Sequence, residues 1–116
     1  MAHEGYHEPI EKLTARTRDM HRAIISVMEE LEAIDWYQQR VDACEDPELR
    51  RILEHNRDEE KEHAAMVLEW IRRRDVVFSK NLKTYLNTRG DITAAEEAEE
   101  SEGAGSTWNA AHKELG

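Results

Sequence analysis

Apolar side chains recur through the first part of the chain at Ile10, Leu13, Met20, Ile24, Val27, Leu31, Ile34 and Val41, in alternating steps of three and four, with Thr17 and Gln38 filling the gaps. That period lays them along one stripe of a helix. Pro9 suits a first helical turn, and Glu8 and Glu11 suit the positive end of its dipole. The pattern predicts one helix from about 9 to 43, roughly 50 Å long at 1.5 Å per residue. A helix of that length leaves its stripe in water unless it pairs lengthwise. Asp46-Pro47 marks the next start, with Asp46 as cap, Pro47 in the first turn and Glu48 behind it. The connection is short, so the second helix returns antiparallel to the first. Its stripe reads Leu49, Leu53, Asn56, Glu60, His63, Val67 and Trp70, and Arg72, Arg73 and Arg74 complement its negative end. Val77, Phe78, Leu82, Tyr85 and Leu86 are spaced for a short third helix, ended by Asn87-Thr88-Arg89-Gly90.

Composition agrees with an all-α chain. Charged residues make up 36% and aromatics 6%, which suits long, partly exposed helices better than a thick core. Two prolines and five glycines leave the helical periods nearly uninterrupted. Residues 1–90 read as the helical domain and 91–116 as an acidic, flexible tail. The net charge of −10 is uneven: residues 1–90 carry 19 acidic and 15 basic side chains, whereas 91–116 carry seven and one. The bias speaks against nucleic acid or an anionic membrane as partner and is compatible with cations. The single cysteine, Cys44, excludes an intrachain disulfide and fits a reducing compartment. No apolar run approaches the ~18 residues of a membrane span, and the acidic N-terminus does not read as a signal peptide, so a cytosolic location is expected. Ala94 to Gly105 is expected to fray between helix and coil with nothing to pack against. Thr107 to Gly116, with Trp108 and Leu115, has the arrangement of a docking peptide and equally that of an unstructured end.

The chemistry concentrates where the second stripe turns polar. Glu60 and His63 form a Glu-x-x-His pair one helical turn apart, so both side chains can reach one ion. They stand at positions where the period calls for apolar residues, whereas Glu59, Glu62 and Glu69 fall off the stripe and read as a solvated face. Buried charge is costly unless paired or metal-bound; the alternative is a polar layer that only sets register. On the first helix Glu30 lies beside the stripe, and an antiparallel partner brings it opposite Glu60 and His63. Tyr37 is two turns along, either a boundary aromatic or a residue that orients a ligand. Carboxylates plus imidazole suit iron or manganese, and zinc less specifically. Glu29, Glu32 and Trp36, spaced i, i+3, i+7, form either a cation-attracting mouth or a solvated stripe with one aromatic anchor. His3, His7, His21, His55 and Cys44 are assigned surface or structural roles. Three ligands from one chain cannot hold two ions, and a four-helix site needs helices this chain lacks. A two-fold dimer supplies the missing half, with metal acting between subunits.

The runs Ser26-Val27-Met28-Glu29-Glu30-Leu31-Glu32-Ala33-Ile34-Asp35-Trp36-Tyr37 and His55-Asn56-Arg57-Asp58-Glu59-Glu60-Lys61-Glu62-His63-Ala64-Ala65-Met66 resemble the encapsulated ferritins. The likeness extends over most of residues 7–93. It implies a two-helix subunit that completes a ferroxidase site only on dimerisation, and dimers arranged in a decameric ring. It further implies Glu30, Glu60 and His63 as ligands of a di-iron centre, Tyr37 beside them as a fourth catalytic residue, and Glu29, Glu32 and Trp36 as a metal-access site. Zinc, manganese or calcium are other ions such sites take in vitro. The implied activity is oxidation of Fe(II) to Fe(III) with oxygen, for iron storage as cargo of an encapsulin shell in the cytoplasm. The tail departs from the family, with no Gly-Ser-Leu-type docking motif between Gly105 and Gly116. Two competing expectations remain: a ferritin-like protein that buffers iron without turnover, and a helical adaptor whose polar layer sets dimer register.

Overall fold

A computed structural model of the chain describes residues 5–103. It contains four α-helices, α1 (Ala15–Ala43), α2 (Pro47–Arg74), α3 (Val76–Tyr85) and α4 (Ile92–Gly103), and no strand among the described residues. The first helix starts later than its apolar period suggests. Ile10–Lys12 make a single 3-10 turn, and Leu13 and Thr14 are extended, with ψ of 138° and 159°. The Thr14 hydroxyl then accepts the Thr17 N–H at 3.1 Å. A β-branched hydroxyl residue competes with the helix for backbone hydrogen bonds and is more favourable as a cap than inside it, so the chain breaks there.

The turn between α1 and α2 follows the expected chemistry. Asp46 Oδ1 accepts from the backbone N–H of Glu48 at 2.9 Å and of Leu49 at 3.3 Å. Pro47 begins the helix, where its missing N–H costs nothing. Beyond the turn, Arg50 Nε donates to the Val41 carbonyl at 3.1 Å and Arg57 Nη1 to Gln38 Oε1 at 2.9 Å. At the far end Asp19, Arg22, Ala23 and Ser26 share a groove with Met66, Val67 and Trp70. These pairs fix one antiparallel register along the hairpin.

The hairpin covers only part of its apolar surface. Ala23, Val41 and Ile71 are its buried core, while Ile24, Met28 and Leu31 stay 44%, 42% and 55% exposed. Those three fall at i, i+4, i+7 and so form one uncovered stripe on α1. Ile52 and Met66 on α2 are also exposed. Scattered exposed apolar residues are ordinary, but a stripe of this kind is a surface for further packing.

Among the described residues, those from Arg72 to Gly103 belong to a second compact unit. Asp75 caps α3, accepting from Phe78 N–H at 2.8 Å, and Arg72 Nη1 donates to Ser79 Oγ at 3.1 Å. After α3, Asn87 and Gly90 take positive φ (63° and 85°), the left-handed conformations that Asn and Gly tolerate best. Asp91 then caps α4 through the Thr93 N–H at 3.0 Å and the Thr93 hydroxyl at 2.9 Å. This helix stands where composition suggested a fraying tract without a packing partner. Alanine and glutamate are strong helix formers, Asp91 supplies the start, and α4 packs on α3. The expected docking stretch, Thr107 to Gly116, lies outside the described residues, as does His3. No helix among the described residues is long and apolar enough to cross a membrane.

Candidate metal centre

Glu60 and His63 sit one turn apart on α2, with Glu60 Oε2 and His63 Nδ1 separated by 3.7 Å. Their side chains are 26% and 42% exposed, half-withdrawn from solvent on a face that faces neither fully inward nor fully out. The register set by Val41–Arg50, Gln38–Arg57 and Ala23–Trp70 places Glu30 of α1 across from them. Glu30 Oε2 is buried and has no hydrogen-bond partner. Its carboxyl is held above the ordinary carboxylate range, first by burial, then by the negative charges of Glu60 and Glu29, with the His63 ring pulling the other way. Three donors from two helices therefore share one electrostatic neighbourhood.

Buried polar atoms are normally satisfied, and an orphaned carboxylate oxygen beside a second carboxylate is unfavourable without a cation. Two carboxylates and one imidazole are also the donor types that iron and other first-row metals accept. The residues fit the group that the sequence suggests. Asp58, although adjacent, is differently committed. The Arg57 Nε bond at 3.0 Å and the Lys61 ammonium at 3.6 Å hold its carboxyl below the usual range.

The remaining sequence candidates are spread along α1. Tyr37 is half-buried, with the Arg40 guanidinium 5.1 Å above its ring. Glu29 is exposed and reaches the site through its charge on Glu30. Glu32 is half-buried, and Trp36 is 46% exposed.

The structure also gathers residues that the apolar phase had set aside. Glu59 and Glu62 each bring a carboxylate oxygen to His63 such that the ligand atoms lie within 4.8 Å of one another. His55 Nε2 lies 3.4 Å from Glu59, so it is not without a partner. His63 thus has carboxylates of Glu59, Glu60 and Glu62 in its neighbourhood. The spacing of His55, Glu59 and Glu62 in steps of four and three is the signal for this grouping, and it lies off the apolar stripe. His21, expected in a surface or structural role, stacks on Tyr6 with ring centroids 4.3 Å apart. Cys44 Sγ lies 3.6 Å from the Asp46 carbonyl.

The chain matches the profile of the EncFtn-like family over residues 5–89. It is 63% identical over 105 residues to an encapsulated ferritin-like protein of Rhodospirillum rubrum, covering 90% of this chain and 74% of that one. A ferritin-like protein of Thermotoga maritima is 53% identical over 94 residues, 81% of this chain and 82% of its own length. A shorter stretch of 51 residues is 41% identical to the encapsulin nanocompartment cargo protein EncC of Myxococcus xanthus, covering 44% of this chain and 39% of the relative. Among solved structures, a crystal structure of a protein from Nitrosomonas europaea has a TM-score of 0.75 and 66% identity. It covers 77% of this chain and 98% of its own.

Proposed function

The chain belongs to the EncFtn-like family, and from that premise we propose that it is a ferroxidase whose di-iron site forms between two subunits. Fe(II) is the substrate. Glu30, Glu60 and His63 of each subunit bind it, each Fe(II) gives up one electron, and dioxygen accepts the electrons. Fe(III) then passes to storage. The carrying observation is the buried, partnerless Oε2 of Glu30 within the charge field of Glu60 and His63. A lone chain offers too few donors for a pair of ions, and its stripe of Ile24, Met28 and Leu31 remains open to packing. A two-fold partner meets both needs at once, and five such dimers make up a decameric ring.

In this reading, Glu29, Glu32 and Trp36 mark the approach of the cation along α1, and Tyr37 orients the site. The names of two relatives, encapsulated and encapsulin cargo, support a place for this chain inside an encapsulin compartment. Aerobic oxidation of Fe(II), followed by the absorbance of ferric product, tests the activity. Wild-type protein turns over many equivalents of Fe(II), and Glu30→Ala and His63→Ala lose most of that rate. Stoichiometric binding of Fe(II) with no oxidation above the protein-free rate would overturn it. That result would favour iron buffering, a reading which the grouping of Glu59 and Glu62 with the half-buried His63 supports because such a set can bind an ion without oxygen chemistry.

A further inference from the structure

Met66 follows His63 by three residues on α2, so the two side chains are neighbours on one face, about 5–6 Å apart at Cβ. It is 59% exposed and shares a groove with Ala23, Val67 and Trp70. No other methionine stands on α2. The other two methionines among the described residues are placed differently. Met28 is two positions from Glu30 and therefore about 200° round α1, on the far side of that helix. Met20 is ten positions from Glu30, about 15 Å along the axis.

A thioether sulfur is soft and polarisable, and peroxide converts it to the sulfoxide. The oxidation proposed above supplies that oxidant. When one dioxygen takes one electron from each of two Fe(II) ions, together with two protons, the product is hydrogen peroxide. The sulfur lone pair of methionine attacks one peroxide oxygen, and the O–O bond breaks as the S–O bond forms. The departing hydroxide takes the proton of the transferred oxygen and leaves as water. Sulfur loses two electrons and the peroxide gains them, so no further reactant is consumed. Sulfoxidation turns an apolar side chain polar; at a residue as exposed as Met66, the hairpin loses little packing by it.

We propose that Met66 is a sacrificial oxidation site, converted to methionine sulfoxide by hydrogen peroxide released at the adjacent centre of Glu30, Glu60 and His63, so that the His63 ring is spared. The proposal rests on the ferroxidase reading and adds to it the fate of the reduced oxygen.

The test is repeated aerobic addition of Fe(II) to the full-length protein, followed by digestion and mass spectrometry of the peptides carrying Met20, Met28 and Met66. The sulfoxide fraction at Met66 is expected to be about tenfold that at Met28 or Met20. Catalase, which destroys peroxide once it reaches solution, is expected to leave Met66 oxidised and to protect Met28. Glu30→Ala, which loses the oxidation, is expected to bring Met66 down to the level of Met28. Met66→Leu conserves volume and is expected to match the wild-type rate on the first addition. Over successive additions it is expected to lose activity roughly threefold sooner, with oxygen gained on the His63 peptide instead. Equal oxidation of the three methionines, Met66 oxidation unchanged in Glu30→Ala, or a Met66→Leu protein as durable as wild type overturns the proposal and leaves the ferroxidase reading standing. Failure of the wild-type protein to oxidise Fe(II) at all overturns both.

Discussion

Glu60 Oε2 and His63 Nδ1 stand 3.7 Å apart on successive turns of α2, beyond hydrogen-bonding distance, so neither consumes the other's lone pair. Glu30 supplies the third donor from α1, and its Oε2 is likewise unengaged. Donors left uncommitted in this way are what an ion-binding site requires. Replacing Glu30, Glu60 or His63 with alanine is expected to lower the Fe(II) oxidation rate by more than about a hundredfold, the upper range for losing merely supporting residues. Stopped-flow absorbance under air measures it. Loss of less than tenfold in all three variants would remove these residues from the chemistry.

The Glu30 carboxyl gives a pH signature in metal-free protein. Burial, Glu60 and Glu29 raise its pKa in the folded chain. The folded state thus holds a proton that the unfolded chain has already released. The stabilising contribution of the protonated group is fully present below the unfolded pKa and is lost as pH rises through the folded pKa. Asp58, whose pKa is lowered, acts with the opposite sign, so the informative quantity is a difference. Glu30→Gln is expected to be more stable than wild type at neutral pH, with the gap closing as pH falls below the ordinary glutamate range. Urea denaturation at a series of pH values measures it; a gap that stays constant with pH contradicts this assignment.

The proposed dimer, packed on the uncovered stripe of α1, makes assembly and metal interdependent. Ile24, Met28 and Leu31 are all more than two-fifths exposed in the isolated chain. In the proposed dimer, the partner that buries them also brings a second Glu30, Glu60 and His63. Binding only the assembled form stabilises it by RT ln(1 + [L]/Kd), about 2.7 kcal/mol at a hundred times Kd. Metal-stripped protein is expected to shift to larger species on anaerobic addition of Fe(II), as seen by sedimentation velocity. Leu31→Glu, which puts charge on the stripe and replaces no candidate ligand, is expected to hold the protein as monomer and to abolish oxidation with Glu30, Glu60 and His63 intact. A monomeric Leu31→Glu protein with full activity would show the site to be complete in one chain.

The hairpin was legible because its signals were redundant. Asp46-Pro47 marked the turn by chemistry that does not depend on packing, and the phase of the polar positions separated Glu60 and His63 from Glu59 and Glu62. The start of α1 was not legible, because Pro9 and the apolar period both favoured helix. The local hydrogen bond from Thr17 N–H to Thr14 Oγ1 overrode them. Phase also hid the approach of Glu59 and Glu62 to His63, since residues off a seam can still meet across its edge. For α4 the reason is tertiary. An Ala/Glu tract has helix propensity in any case, but whether it settles depends on its packing against α3, which no pattern in the sequence sets out.

The α1–α2 turn offers a prediction independent of metal. Asp46 Oδ1 satisfies two backbone N–H groups of the first turn of α2 and places negative charge at its positive end. Losing an N-cap of this kind costs about 1 kcal/mol, which for a domain of this size lowers Tm by roughly 5 °C. Asp46→Ala is expected to show that drop, whereas Asp46→Asn, which keeps the acceptor oxygen without the charge, retains most of the stability. Thermal unfolding of metal-free protein by circular dichroism, at one fixed concentration because subunit association shifts the midpoint, separates the two variants. If Asp46→Asn fell as far as Asp46→Ala, the charge at the helix start rather than the hydrogen bonds would be what holds the turn. Unchanged midpoints for both would mean that the hairpin is fixed instead by the cross-helix bonds of Arg50 to Val41 and Arg57 to Gln38.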